Sequence, residues 1–320
     1  MFHKKISVYI ISGFLGSGKT TVLLKMIEEL QKKKLKPGII LNELGDTNVE
    51  SHLFKKEKVF ELLNGCICCT IQDDLKETMQ QFLIENEKEP VDVLLIEGTG
   101  VANPLEIKEV LLSIPFIDYF ELISIITLVD ASHFLDYQSI FSSSREVRKL
   151  LSEQLASANV IILNKTDLVP ISQLEKIKVK LTDNVGAEKP VFLAKYGEIE
   201  SEKLFEKRMQ TVSINKNSLH NDNEGHHHHA NIQAIKIEDL PKFHSKKLEN
   251  WLKQLPKEVL RGKGVVEIEG ENKLFNFQFA SGKTHFTGLH SKNITKPVII
   301  LIGMNINRKQ IQQSYDRYFN

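Results

Sequence analysis

The sequence predicts an α/β fold, a parallel sheet with helices on both faces, followed by a smaller C-terminal α+β domain. Three observations carry this. An apolar run at 6–11 leads directly into a glycine-rich loop, GFLGSGKTT at 13–21, and then into a stretch of helical periodicity. Short apolar runs recur at 39–41, 59–63, 91–96, 122–129, 160–163 and 191–197, several of them separated by helix-length segments, as doubly buried parallel strands require. The composition then turns polar at 213–231 before apolar runs resume, which divides the 320 residues into domains 1–212 and 232–320 joined by a linker at 213–231.

The loop at 13–21 matches GxxxxGK[ST], with a strand before it and a helix after it, which makes the sheet one of P-loop NTPase type. Gly13, Gly16 and Gly18 let the backbone bend so that successive N–H groups, those of Ser17 and Thr21 among them, face phosphate oxygens. Lys19 would neutralise β and γ phosphates, and Thr20 would offer its hydroxyl to Mg²⁺. Apolar residues at 22, 23, 26, 27 and 30 give the following helix, with Lys32, Lys33 and Lys34 at its negative end. Pro37 and Gly38 break the chain before the strand at 39–41, which ends in NELGD. Glu43, Asp46 and Glu50 lie just beyond that strand, where α/β proteins bind ligands, and are candidates for metal or Mg²⁺–water contacts in a switch segment. For Asp46 and Glu50 a solvated acidic loop accounts for the pattern equally well.

The strand or extended segment at 59–63 runs into NGCICCT. Cys66 and Cys68 fall on one side of an extended chain and Cys69 enters from the next turn. Thiolates select Zn²⁺, Cu⁺ or a similar soft to borderline cation, and three of them leave one tetrahedral position for water, Glu43 or an incoming group. That suits a metal to be passed on; a buried cysteine cluster or a redox pair is the alternative. These are the chain's three cysteines, so a disulfide framework is excluded and a reducing compartment is expected.

A helix is expected over 71–87 and a buried strand over 91–96. The strand ends in EGTG, where Glu97 and the Gly100 N–H are placed to order around the γ-phosphate and Mg²⁺. Pro104 opens another helix. After the strand at 122–129, His133 reads as a packing or capping residue. A helix near 145–155 precedes the strand at 160–163, which delivers NKTD. Following a phosphate loop and an ExxG, this is a guanine reader: the Asp167 carboxylate accepts from N1–H and the 2-amino group, which adenine lacks. Lys165 would pack across the ring, Asn164 would hold neighbouring loops, and the Ala194 N–H would touch the base. Beyond this, His226, His227, His228 and His229 lie in a polar linker that can scavenge metal or stand solvated. The C-terminal part reads as a strand from 232, a helix over 245–255, strands at 265–269, 274–279 and 298–302, and an amphipathic tail, with Arg261–Gly264 as a basic turn.

With 41% hydrophobic residues, 26% charged residues and a net charge of +1, neither general nucleic-acid nor membrane-surface binding is expected. No apolar run is long enough to span a bilayer. The basic, then apolar, N-terminus is not read as a leader peptide, because no small-residue cleavage site precedes Lys19. A cytoplasmic protein is expected.

Taken together, GFLGSGKTT, NELGD, GCICC, EGTG, VDASHF, EQLASA, NKTDLV, the His-rich linker and LRGKG resemble the CobW-like family of P-loop GTPases over essentially the whole chain. That family is related to hydrogenase and urease nickel-insertion GTPases and to zinc metallochaperones. The resemblance implies GTP hydrolysis to GDP, coupled to metal binding at the Cys motif and handover to a client metalloprotein. Zn²⁺ is the first expectation, with Co²⁺, Ni²⁺, Fe²⁺ and Cu⁺ open. A nucleotide- or metal-dependent homodimer is left open, as are two rivals, a nucleotide-gated metal sensor or buffer and a small-molecule kinase. The chain departs from the family pattern at Gly98, Asn103, Asn48 and Glu50, in or near the expected switches.

Overall fold

The computed structural model describes residues 4–41, 58–61, 71–100, 103–214, 232–280, 282–289, 296–304 and 306–319. The chain divides into two compact units, Met1–Leu111 with Asp118–Arg208, and Leu112–Ile117 with Met209–Asn320. In order the elements are β1 (Ile6–Gly13), α1 (Lys19–Lys32), β2 (Pro37–Leu41), β3 (Lys58–Glu61), α2 (Ile71–Lys88), β4 (Val93–Glu97), α3 (Pro104–Leu111), α4 (Phe116–Tyr119), β5 (Phe120–Asp130), α5 (Phe134–Gln138), α6 (Arg145–Ser157), β6 (Val160–Asn164), a 3-10 turn (Thr166–Leu168), α7 (Ile171–Val185), β7 (Val191–Leu193) and α8 (Ser201–Phe205). They continue with β8 (Met209–Ile214), β9 (Ile232–Ile237), α9 (Ser245–Lys253), β10 (Val259–Glu267), β11 (Leu274–Ala280), β12 (Lys283–Gly288), β13 (Val298–Met304) and α10 (Arg308–Phe319).

Seven strands form one all-parallel sheet in the order β3-β2-β4-β1-β5-β6-β7. Both faces are covered. One apolar cluster joins Ile11, Leu95 and Ile162 to Val22, Leu23 and Met26 of α1; another joins Val129, Ile161 and Leu163 to Phe134, Leu151, Leu155, Ile177 and Leu181. The consecutive residues Ile161, Ile162 and Leu163 alternate between the two clusters, so an unbroken apolar run is what this strand needs. Each fully buried side chain of this kind contributes about 1.5–3 kcal/mol. Because every strand runs the same way, the loops after β1, β4, β5, β6 and β7 leave from one edge. β1 sits between β4 and β5, where the strand order reverses and α/β sheets open a crevice.

Two expected boundaries shift. Pro37 and Gly38 lie inside β2 instead of breaking the chain before it. Proline is tolerated as a strand's first residue, and a Cβ on Gly38 would come 2.9 Å from the Phe82 ring. β7 stops at Leu193 rather than continuing to 197, because Tyr196 and Gly197 take φ values of 53° and 68° and turn the chain away.

The second sheet has the order β12-β11-β10-β13-β9-β8 and is antiparallel except for the β8–β9 pair. Helices α9 and α10 contribute Leu248, Trp251, Ile311 and Tyr315 to a cluster with Ile235, Val266, Phe277 and Leu301 of the sheet. Trp251 Nε1 donates to Ser314 Oγ at 3.1 Å. The basic turn expected at Arg261–Gly264 is instead mid-strand in β10. Its glycines serve close strand pairing: a Cβ on Gly264 would lie 1.9 Å from the Val298 carbonyl oxygen. Among the described residues no helix is long and apolar enough to cross a membrane.

Candidate functional site

The loop after β1 is shaped by its neighbours. Gly13 has φ 133°, and a Cβ there would lie 2.2 Å from the Leu128 carbonyl oxygen of β5, so only glycine fits. Gly18, at φ 101°, opens α1, and a Cβ there would meet Asn164 Nδ2 at 2.5 Å. Gly16, at φ 77°, faces open space. The Ser17 N–H donates to Phe14 O at 3.1 Å and closes the loop. Ser17 itself is buried, and its hydroxyl has no hydrogen-bond partner among the described residues. Lys19 is 6% exposed, with Nζ donating to Phe14 O at 3.2 Å. Helix α1 has no acidic residue in its first turn. A buried ammonium, a bent backbone, a bare helix N-terminus and an orphaned hydroxyl fit a polyphosphate.

Beside this loop, Thr20 Oγ1 donates to Glu97 Oε1 at 3.2 Å, joining the first turn of α1 to the end of β4. This hydroxyl–carboxylate pair is an oxygen donor set suited to Mg²⁺. The Gly98 N–H donates to Ile11 O at 2.9 Å. A Cβ on Gly100 would lie 2.4 Å from the Leu15 nitrogen, so this segment runs against the phosphate loop. Gln154 Nε2 of α6 donates to Gly100 O at 3.4 Å.

The NKTD segment follows β6. Asn164 is buried and uses both ends of its amide: Nδ2 donates to Ser17 O at 2.9 Å, and Oδ1 accepts from the Gly197 N–H at 3.0 Å. It therefore ties the phosphate loop to the loop after β7, holding neighbouring loops as expected. Lys165, at φ 58°, donates from Nζ to Asp130 Oδ2 at 2.7 Å. The other oxygen, Oδ1, accepts from Ser132 N at 2.9 Å and Ser132 Oγ at 2.6 Å. Burial pushes the Asp130 carboxyl up, but the hydrogen bonds from Lys165 and Ser132 outweigh it and hold the group below the usual aspartate range. Asp167 stands exposed in the 3-10 turn. Thr166 donates twice to Ala194 O, from N at 3.2 Å and from Oγ1 at 3.0 Å.

Ala194 needs correction. Its N–H, expected at a base, donates to Leu163 O at 2.9 Å, the last bond of the strand ladder, and so is taken. Lys195, Tyr196, Glu198 and Glu200 are the exposed residues of this loop. The Tyr196 carbonyl accepts from Lys25 Nζ of α1 at 3.0 Å. Thr21 lies exposed on α1, and a Cβ on Gly197 would meet its Cγ2 at 3.2 Å. His133 precedes α5 without capping it through its side chain; its exposed ring stacks on Tyr137, and its Nδ1 lies 2.8 Å from Ser132 Oγ and 3.5 Å from Asp130 Oδ2.

Glu43, Asn48, Asp46, Glu50, Cys66, Cys68, Cys69 and His226 to His229 lie outside the described residues. Among the described residues no group of three or more His, Cys, Asp or Glu could hold a metal. Three residues given no role from sequence join the site: Asp130, Gln154 and Thr166. The first two stand in the motifs VDASHF and EQLASA, but their partners lie 35 and 54 positions away, at Lys165 and Gly100.

Residues 7–192 match the family model described as CobW/HypB/UreG, nucleotide-binding domain, and residues 232–318 match the cobalamin synthesis protein cobW C-terminal domain. A zinc chaperone CobW of Sinorhizobium sp is 31% identical over 218 residues, 61% of this chain and 60% of that protein. The zinc-regulated GTPase metalloprotein activator 1 of Dictyostelium discoideum is 33% identical over 208 residues, 55% of this chain and 43% of that one. The zinc chaperone YjiA of Escherichia coli is 30% identical over 286 residues, 85% of each. The match thus spans less than two thirds of the first two relatives and most of the third.

Proposed function

Because the chain belongs to the CobW/HypB/UreG family, we propose that it is a GTP-hydrolysing metallochaperone that carries Zn²⁺ at Cys66, Cys68 and Cys69 and delivers it to a client metalloprotein. The relatives named zinc chaperones and a zinc-regulated GTPase activator support this reading. The observation that carries the coupling is one of register. Leu41, Glu61 and Glu97, the last residues of β2, β3 and β4, pair side by side. These three strands, which in sequence precede Glu43, the CxCC motif and Gly98, therefore end at the sheet edge from which the phosphate loop leaves.

In this reading Lys19 lies against the β and γ phosphates, and the loop N–H groups line the rest of the polyphosphate. Bound Mg²⁺ supplies further neutralisation of the terminal phosphates. Thr20 and Glu97 would hold it, and their hydrogen bond makes the two segments respond together. Asp167 reads guanine and Asn164 keeps the base and phosphate loops in one register. The thiolates take a borderline cation, so Co²⁺, Ni²⁺ and Fe²⁺ compete with Zn²⁺ according to supply. The His226–His229 tract feeds metal to the thiolates, and residues 232–320 recognise the client.

The test is Zn²⁺ affinity by competition with a chromophoric chelator, in Mg²⁺ with GDP or a non-hydrolysable GTP analogue, for the parent and Cys66→Ala. The analogue should tighten binding severalfold and the variant should erase that difference. Equal affinity under both nucleotides would overturn the coupling.

A further inference from the structure

We propose that Asp130 is a positioning residue for base recognition: from the end of β5 it holds Lys165, and with it the turn that carries Asp167, in guanine-reading geometry. The inference rests on the guanine-nucleotide reading above and adds a residue outside its binding motifs.

Asp130 pairs with Asn164 in the β5–β6 register, so its side chain stands next to the loop it is to hold. It is 7% exposed, and both oxygens are engaged: Oδ2 by Lys165 Nζ at 2.7 Å, Oδ1 by the N–H and hydroxyl of Ser132. A carboxylate held at both oxygens restrains the ammonium it grips. Lys165 also has φ 58°, a left-handed conformation that a lysine keeps where its surroundings impose it. It immediately precedes the 3-10 turn, and its carbonyl accepts from the Leu168 N–H at 3.1 Å. Rotating Lys165 would therefore move Asp167.

The same cluster reaches the phosphate loop. Ser132 Oγ contacts His133 Nδ1, His133 stacks on Tyr137 with centroids 5.9 Å apart, and Tyr137 packs on Phe14 at 4.8 Å. A lysine present merely to neutralise a buried aspartate would make Asp130 irrelevant to nucleotide choice. A lysine held for the base would make Asp130 matter for guanine and not for adenine.

The experiment measures fluorescent GDP and ADP binding, with Mg²⁺, to the full chain and to Asp130→Asn, Lys165→Met, the double variant and Ser132→Ala, alongside their melting temperatures. Asp130→Asn should weaken GDP by about tenfold, the loss of one charge-assisted hydrogen bond, and leave ADP unchanged. In the double variant it should add nothing to Lys165→Met, because it acts through that lysine. Ser132→Ala keeps the carboxylate and should give a smaller loss confined to GDP; it carries the test if Asp130→Asn does not fold. GDP binding unchanged in the folded variants, equal losses for GDP and ADP, or additive effects would overturn the proposal. A parent protein that binds GDP and ADP alike would instead overturn the guanine-nucleotide reading itself.

Discussion

At the proposed phosphate end of the site, position is set by close fit around the backbone: Gly13 and Gly18 are pressed against a carbonyl of β5 and the side-chain amide of Asn164, with no room for a side chain of their own. At the base end, position is set by side chains: Asn164, Asp130, Lys165 and Thr166 each make a directed hydrogen bond between elements far apart in sequence. The difference is instructive because the two kinds of construction fail differently. A backbone fit fails all at once when an atom is added, whereas a side-chain network loosens one bond at a time.

The largest effect is expected at Gly13→Ala. Its methyl would overlap a backbone oxygen that cannot retreat without disturbing β5, and φ 133° is a conformation that alanine resists. A loss of about 3 kcal/mol or more in denaturant unfolding is expected, together with loss of GDP binding. Gly16→Ala is the control. It shares a positive φ of 77° but meets nothing within 4 Å, so it should cost only about 1–2 kcal/mol. Equal losses at the two positions would break the distinction between steric fit and simple chain flexibility.

Asn164→Ala comes next. It leaves the Ser17 carbonyl and the Gly197 N–H without this partner, which should lower stability by about 2 kcal/mol. Since Asn164 belongs to both ends of the cleft, GDP and ADP affinities should fall together in titrations. An effect on GDP alone would place Asn164 with the base-end side chains only.

The same contrast decides what can be read from sequence. The phosphate loop is local, so eight consecutive residues announce both its chemistry and its strand–loop–helix setting. The runs at 122–129 and 160–163 also matched β5 and β6 closely, because doubly buried strands need unbroken apolar residues. Helix α7 was not anticipated, since it buries only Ile177 and Leu181 among many polar residues. Nor was β12, whose Lys-Thr-His-Phe-Thr-Gly gives the core only Phe286 as a partly buried apolar contact. In the site, Asp130 had no assigned role because its partner Lys165 is reached only through the β5–β6 register. The use of the Ala194 N–H is not legible either, because sequence does not say where a strand's hydrogen-bond ladder ends; here it ends one residue beyond β7, at that N–H.

The smallest effect, and the finest probe of the base end, is Thr166→Val. Thr166 bonds to Ala194 O twice, through its N–H and its hydroxyl. Valine keeps the shape and the backbone bond and removes only the hydroxyl bond, so stability should fall by about 1 kcal/mol. Thr166 opens the turn that carries Asp167, and Ala194 fixes the loop that Asn164 ties to the phosphate end. If the base end is a network of separate bonds, GDP affinity should drop only about two- to threefold in titration, with ADP unaffected. If instead GDP binding collapsed as in Gly13→Ala, the base loop would be as rigidly determined as the phosphate loop, and the contrast between the two ends would not stand.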